Sequence, residues 1–447
     1  MRSYTIHGGK ALRGSLRVPG DKSIGHRSLL FAALSSGECL IEGLSGGADN
    51  VATATILGAM GVDIHQEADK AKVGGVGLHG LSMPKAELDC GNSGTSMRLL
   101  AGLLSAQKFG ARLIGDSSLS KRPMKRIVEP LRARGAHIAG VSGAKADNVY
   151  PPLSIAPLIE GETLLGIEYD MPVSSAQVKS ALLLSGLYAK GPTVLREPVL
   201  SRDHTERMLL SLGVPIQSMA SMVNLDPRGW TARWDAFHWQ VPSDLSSAAF
   251  VLAAARLIPG SDVRLSDVGI NPTRTGFLDA LRLMGASPQI LPKGEAAGGE
   301  PVAELHMSSG NIAPLALGGE LLTRMIDEAP IFCVLAALAR GESSLNDAAE
   351  LRVKESDRIS VMAKTLKAFG VPCEEFEDGM RISGGAKLHP AKVCSEGDHR
   401  IAMSAAILAM TLDGQSIIED TECIETSFPG FVSLMQELGA DIVETQS

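Results

Sequence analysis

Six times along this chain of 447 residues a helical stretch stops in the same way. The endings are Leu57-Gly-Ala-Met-Gly61-Val, Leu131-Arg-Ala-Arg-Gly135-Ala, Leu209-Leu-Ser-Leu-Gly213-Val, Leu281-Arg-Leu-Met-Gly285-Ala, Leu366-Lys-Ala-Phe-Gly370-Val and Met435-Gln-Glu-Leu-Gly439-Ala. Each reads as a helix closed by a C′ glycine that passes directly into a strand. One such ending is commonplace. Six at intervals of 69 to 85 residues are a repeated supersecondary unit. A unit of about 75 residues holds two helices and three or four strands of ordinary length. Six units divide as three plus three, so the chain is expected to form two α/β domains.

The boundaries follow from two Pro-containing entries into apolar helices. Val18-Pro-Gly-Asp-Lys-Ser23 opens one and Gln240-Val-Pro-Ser-Asp-Leu245 the other. Both read as interdomain crossings. Residues 1–20 and 242–447 then make a C-terminal-half domain that includes the first strand, and 21–241 make an N-terminal-half domain. The Gly/Glu-rich segment from Lys293 to Pro301 reads as an exposed loop within the C-terminal half. Composition agrees with compact layers of small apolar residues: 45% hydrophobic, only 4% aromatic, 48 glycines.

The same composition removes several functions. A formal net charge of −8 argues against general nucleic-acid or membrane-surface binding, so any cationic site has to be a local cluster. No run reaches the roughly 18 apolar residues of a membrane helix. The N-terminus has no apolar signal core. Six cysteines without a CxxC pair fit a reducing, cytoplasmic setting. No HExxH motif or Cys/His cluster offers a metal site, and GxGxxG and GxSxG are absent.

What remains is a recurring design: polar, often cationic residues at the start of an apolar helix. Lys22, Ser23 and Arg27 precede Leu29–Leu34, with Ser23 and Arg27 on one face. Free N–H groups, a hydroxyl and two cations at a helix N-terminus make an anion site. Asp89-Cys-Gly-Asn-Ser-Gly94-Thr-Ser-Met-Arg98 is a Gly-rich turn where backbone approaches a ligand closely. Ser120-Lys-Arg122-Pro-Met-Lys-Arg126 carries four cations in seven residues, and Pro123 fixes the chain so that Arg122 can point back into a site. Ser175 and Gln177 sit in the first turn of another apolar helix. In the second half, Asp327 and Glu328 precede the apolar Ile331–Ala339 stretch. Leu351–Arg358 is expected as a helix with Lys354 and Arg358 on one face and Glu355 adjacent. Asp398-His-Arg400 opens a further apolar helix. Taken singly, each is equally a capped surface helix. Converging on one cleft, they form a multi-anion pocket with a carboxylate pair and a lysine able to move protons.

In this order, PGDKSIGHRS, GNSGTSMR, LSKRPM, SSAQVKSA, SRDHTE, RVKESDR and DHRIAM closely resemble the 5-enolpyruvylshikimate-3-phosphate synthases, from about residue 12 to residue 442. SAQ at 175–177, SRDHTE and TSFP at 426–429 resemble their class II bacterial branch. The resemblance implies two domains, each of three βαβαββ repeats around a pseudo-threefold axis, with the active site in the cleft between them. It implies a monomer acting on shikimate-3-phosphate and phosphoenolpyruvate, inhibited by glyphosate, with no cofactor and no metal. Lys22, Ser23, Arg27, Ser175, Gln177, Arg202, Asp327 and Lys354 match contacts to shikimate-3-phosphate. Lys22, Gly94, Arg122, Gln177, Arg358 and Arg400 match the surroundings of phosphoenolpyruvate. Asp327 matches the acceptor of the 5-hydroxyl proton, Glu355 a proton donor to C3, and Lys354 and Lys22 complete the catalytic group. One departure stands out: many relatives have Lys-Thr-Phe-Pro where this chain has Thr426-Ser-Phe-Pro429, so a lysine ligand is missing. The alternatives are the sister UDP-N-acetylglucosamine enolpyruvyl transferases and a non-catalytic anion-binding relative. The former typically carry Lys-Asn and a loop cysteine; here Lys22 is followed by Ser23, and Lys121–Met124 has no cysteine.

Overall fold

The computed structural model describes residues 2–143 and 147–446. All six repeat glycines lie in the left-handed region, with φ between +71° at Gly285 and +103° at Gly439. Each stands directly after a helix C-cap, and the hydrogen bonds explain the repeated letters. The residue after glycine donates its N–H to the carbonyl of the leading Leu or Met: Val62 to Leu57, Ala136 to Leu131, Val214 to Leu209, Ala286 to Leu281, Val371 to Leu366 and Ala440 to Met435, at 2.7 to 3.2 Å. The glycine N–H bonds to the carbonyl of the residue after that Leu or Met, as in Gly61 to Gly58 at 3.0 Å. This is a Schellman closure, in which apolar residues before and after the glycine are both drawn into the core. The leading Leu or Met is fully buried in every copy.

Each closure leads into an antiparallel strand pair. In one complete repeat, strand Ile167–Asp170 is followed by helix Ala176–Gly186 and strand Thr193–Arg196, which pairs in parallel with the first. Helix His204–Ser211 and strands Ile216–Met219 and Met222–Leu225 follow, and the last strand pairs antiparallel with both neighbours. Six four-stranded sheets of this kind occur among the described residues. Three take a strand from far away in sequence. His238–Gln240 lies parallel to Ser36–Glu42, and Arg13–Leu16 lies parallel to Asp262–Gly269. Arg2–His7 pairs antiparallel with Gln415–Glu419 and Asp441–Gln446.

The chain forms two compact units, one of Met1–Asp21, Pro242–Glu295 and Pro301–Ser447, the other of Lys22–Val241 and Ala296–Glu300. Each has its own core around three helices that are buried on nearly every side, with a few paired polar residues along them. These are Lys22–Ala33, Gly94–Leu104 and Ala176–Gly186 in one, and Leu245–Leu257, Ala329–Leu338 and His399–Met410 in the other. Their packing is close: a Cβ at Gly102 would lie 2.2 Å from Ala181 O, so only glycine fits. A helix buried on nearly every face places most of its polar residues at its ends. That is why the polar motifs of the sequence cluster at helix starts.

Two expectations are corrected. Residues 293–301 are not a loop: strand Gln289–Ala296 and a 3₁₀ turn, Ala297–Gly299, run through them, and Ala296–Glu300 belongs to the Lys22–Val241 unit. The strand is exposed along nearly its whole length and so shows no apolar alternation. Residues 351–358 are not one helix either. A 3₁₀ turn ends at Val353, and a new helix, Arg358–Ala368, starts behind the N-cap Asp357. Lys354 and Arg358 therefore flank a bend instead of sharing a helix face.

Candidate functional site

In the Lys22–Val241 unit the helix N-termini are wired to one another by buried polar groups. Lys22 Nζ lies 2.9 Å from Asp49 Oδ2, and its carbonyl accepts from Asn50 Nδ2 at 3.1 Å. Arg27, one turn on and buried, donates to Ser23 O at 2.8 Å, Thr205 Oγ1 at 2.6 Å and Ser180 Oγ at 2.6 Å. One guanidinium thus ties its own helix to two others. His26, Thr53, Ser96 and Ser93 form a hydroxyl relay with steps of 2.7 to 2.8 Å, ending at the N-cap of the Gly94–Leu104 helix.

The Gly-rich turn and the basic loop meet. Arg122 Nη2 donates to Asn92 Oδ1 at 2.6 Å and to Ser118 Oγ at 3.3 Å. Arg98 Nη1 donates to Gln177 Oε1 at 2.8 Å, and Gln177 Nε2 donates to Thr95 Oγ1 at 2.9 Å. A Cβ at Gly94 would stand 2.7 Å from Arg98 Nη1 and 3.3 Å from Arg122 Nη1, so glycine leaves room for both guanidiniums. Ser175 caps the next helix by accepting from Val178 N. Arg202 is half-buried in the turn that precedes the His204–Ser211 helix.

In the other unit the order is carboxylates among cations. Arg358, at 2% side-chain exposure, donates from Nε to Asp398 Oδ2 at 2.8 Å and from Nη2 to Glu355 Oε2 at 2.5 Å. Its Nη1 lies 3.5 Å from Asp327 Oδ1. Arg400 donates to Asp327 O at 2.9 Å and approaches Asp327 Oδ2 at 3.7 Å. Asp327 is thereby held between two buried guanidiniums. Burial works against the charge of Arg358, but Asp398, Glu355 and Asp327 outweigh it and leave its pKa above the ordinary value. Asp398 is also the N-cap of the His399–Met410 helix, accepting from Arg400 N at 2.9 Å.

Lys354 Nζ lies 3.8 Å from Glu350, with 27% of its side chain exposed. Desolvation by the surrounding chain lowers its pKa below the ordinary lysine value, against the pull of Glu350, Asp327 and Glu355 and with the push of Arg358. A lysine in that state exchanges a proton more readily than a free one. Behind Asp327, Glu328 is fully buried, accepts from Ser246 Oγ and lies 3.6 Å from Arg274. Arg274 also donates to Asp244 at 3.3 Å. Burial and Asp21 push Asp244 up to about 6, opposed by Arg274 and Arg400.

The residues singled out in sequence fall into two groups. Lys22, Ser23, Arg27, Gly94, Arg122, Ser175, Gln177 and Arg202 lie in the first unit, and Asp327, Lys354, Glu355, Arg358 and Arg400 in the second. Arg98, Asn92, Asp49, Thr205 and Asp398 hold these residues and were not among the candidate ligands. Asp398 was visible as the polar residue before an apolar helix; Thr205 lies within SRDHTE, but nothing near it in sequence shows that its hydroxyl meets Arg27. Thr426, at the missing lysine, is half-buried, and its Oγ1 donates to Cys423 O at 2.7 Å within the same 3₁₀ turn. Among the described residues no group of three or more His, Cys, Asp or Glu could hold a metal ion. Among the described residues no helix is long and apolar enough to cross a membrane.

The family model for EPSP synthase (3-phosphoshikimate 1-carboxyvinyltransferase) matches residues 6–435. A 3-phosphoshikimate 1-carboxyvinyltransferase of Geobacter sp. (strain M21) is 49% identical over 436 residues, covering 97% of this chain and 99% of its own. One from Alkalilimnicola ehrlichii is 49% identical over 439 residues, covering 98% and 95%. The solved EPSP synthase of Acinetobacter baumannii superposes with a TM-score of 0.87 at 43% identity over the full length of both chains. The enolpyruvyl transferase NikO of Streptomyces tendae, at 19% identity and a TM-score of 0.79, shares the fold.

Proposed function

Because the chain belongs to the EPSP synthase family, we propose that it transfers the enolpyruvyl group of phosphoenolpyruvate to the 5-hydroxyl of shikimate-3-phosphate, with release of inorganic phosphate. The observation that carries this reading is the setting of Asp327, a carboxylate between the buried guanidiniums of Arg358 and Arg400, with Lys354 and Glu355 beside them. Two phosphates and two carboxylates must be bound, and a proton must leave an alcohol while another reaches carbon. The residues match that list.

In this reading the 3-phosphate side of shikimate-3-phosphate is held by Ser23, Arg27, Ser175, Gln177 and Arg202. Phosphoenolpyruvate is held by Lys22, Gln177, Arg122, Arg358 and Arg400, with Gly94 giving it space. The 5-oxygen attacks C2 of phosphoenolpyruvate and its proton passes to Asp327. C3 takes a proton from Glu355, giving a tetrahedral ketal phosphate. Glu355, now a carboxylate, takes a proton back from C3, the C2–O bond breaks as phosphate leaves with the proton held on Asp327, and the enol ether forms. Charge-assisted bonds from guanidinium to phosphate strengthen as negative charge gathers on the leaving group. To act as donor, Glu355 must give up its bond from Arg358, for which the anionic groups of phosphoenolpyruvate compete. Glyphosate is taken to compete with phosphoenolpyruvate at the Gly94 side.

The test is phosphate release with both substrates, followed by mass spectrometry of the product. Release that needs both, with a product heavier than shikimate-3-phosphate by one enolpyruvyl group, supports the proposal. No release, or equal release with UDP-N-acetylglucosamine in place of shikimate-3-phosphate, overturns it.

A further inference from the structure

We propose that Lys179 is the positioning residue for Arg202, fixing the Glu197–Thr205 turn before substrate arrives; this rests on the functional reading above, in which Arg202 contacts shikimate-3-phosphate. Lys179 stands one turn beyond Ser175 on the Ala176–Gly186 helix, and its side chain is 1% exposed. Its Nζ lies 2.7 Å from Glu197 Oε2 and 2.7 Å from Glu206 Oε1, and it donates to Ser201 O at 3.4 Å. These three oxygens come from the end of a strand, the start of a helix and the turn between them.

Glu197 carries the grip forward. Its carboxylate accepts from Ser201 N at 3.3 Å and Ser201 Oγ at 2.5 Å, so the residue directly before Arg202 is held by both backbone and side chain. On the other flank, His204 Nδ1 lies 2.7 Å from Glu300 Oε1, both groups buried. Thr205 follows, bonded to Arg27 and Ser180. Arg202 therefore sits between two fixed points only three residues apart in sequence.

Stability alone does not call for this cluster. Burying a lysine with two carboxylates costs desolvation that pairing only roughly returns, and packed apolar side chains serve as well. Burial also pushes the Glu206 carboxyl up, against the pull of Lys179 and its hydrogen bond. What an ion cluster adds over an apolar one is direction, because each bond has a preferred angle and length. The direction it sets here is that of the turn bearing Arg202.

The experiment measures shikimate-3-phosphate affinity by calorimetry for the full-length wild type, Lys179→Met, Arg202→Ala and the double variant. Each single change is expected to weaken binding by about tenfold or more. The double variant is expected to lie within about threefold of the weaker single, because Lys179 acts through Arg202. Losses that multiply, or wild-type affinity in Lys179→Met, overturn the proposal. Wild-type affinity in Arg202→Ala removes the substrate assignment and the proposal with it, whereas loss in Arg202→Ala alone removes only the proposal. Where Lys179→Met fails to fold, Lys179→Met/Glu197→Gln/Glu206→Gln, which strands no buried charge, takes its place. Hydrogen exchange of the 197–203 segment in the wild type gives an independent reading. Ser201 N–H is expected to exchange slowly without ligand and to slow by less than about threefold with it. Slowing of about a hundredfold on binding means that the ligand orders the turn, and overturns the proposal.

Discussion

Gly94→Ala couples a cost in stability to a cost in binding. Gly94 is the first residue of its helix, behind the N-cap Ser93, and its φ is not positive. Alanine therefore fits the backbone, and helix propensity favours it by about 0.5–1 kcal/mol. The new methyl would lie 2.7 Å from Arg98 Nη1, and relief to ordinary contact needs a shift of about 0.7 Å. Along its bond to Gln177, now 2.8 Å, that shift reaches about 3.5 Å, where the hydrogen bond is lost. A hydrogen bond from a charged donor is worth about 1.5–3 kcal/mol, and because this one is internal to the free protein its loss outweighs the gain in helix propensity. Arg122, 3.3 Å from the same methyl, has to yield by a few tenths of an ångström as well. The expected result is a lowered melting temperature, with the KM for phosphoenolpyruvate up by at least about tenfold because Gln177 and Arg122 are displaced. Glyphosate inhibition is expected to weaken further than that, because the longer anion needs the same space. Shikimate-3-phosphate is expected to lose less, since Ser23, Arg27, Ser175 and Arg202 are untouched. Steady-state kinetics and thermal denaturation on the same preparations decide it. A KM within twofold of wild type means that the guanidiniums beside Gly94 do not shape the phosphoenolpyruvate site, and refutes the reasoning.

Asp327→Asn is expected to lower kcat by about a hundredfold or more while shikimate-3-phosphate affinity stays within about tenfold, as for loss of a general base; kinetics and calorimetry together test it, and kcat within threefold of wild type removes the assignment. Glu355→Gln is expected to slow solvent deuterium exchange into C3 of phosphoenolpyruvate, which mass spectrometry reads directly. Asp398→Ala removes a helix cap and strips Arg358 of its closest buried partner, at about 3–5 kcal/mol, because one member of a buried pair is left behind; urea denaturation should show the loss, with Asp398→Asn milder. Asp244, raised from 3.8 to about 6, contributes stability that is present at low pH and lost as the pH rises through 6. The stability of wild type relative to Asp244→Asn should accordingly be greater at pH 4.5 than at pH 7, and the reverse order contradicts the direction of the shift.

How much of this was legible before the structure varies with the range of the interaction. The six closures were readable because a Schellman motif is written within six residues: an apolar acceptor, a glycine that can take positive φ, and an apolar donor. The polar helix starts were readable for the same reason, since a cap and the first turn lie within four residues of each other. The breaks came where the answer depended on distant chain. RVKESDR has helical spacing, but Asp357 caps a new helix, and Arg358 points to Asp398 forty residues on. The segment at 293–301 looked like a loop because its strand is exposed, while its tip turns into the Lys22–Val241 unit, where Glu300 pairs with His204.

Lys179 marks the boundary most sharply. In SSAQVKSALLL it is one lysine in a helical run, and nothing nearby distinguishes it from a solvated one. Only the fold brings Glu197 and Glu206 to it and closes water out. The sequence alone determined the repeated unit, the apolar helices and the polar residues at their N-termini, because these rest on contacts along a single turn or cap. Which charges are buried, which carboxylate faces which guanidinium, and which strand completes which sheet were decided by tertiary packing. Those partners lie tens to hundreds of residues apart, and a pairing at that separation leaves no periodic trace in the chain.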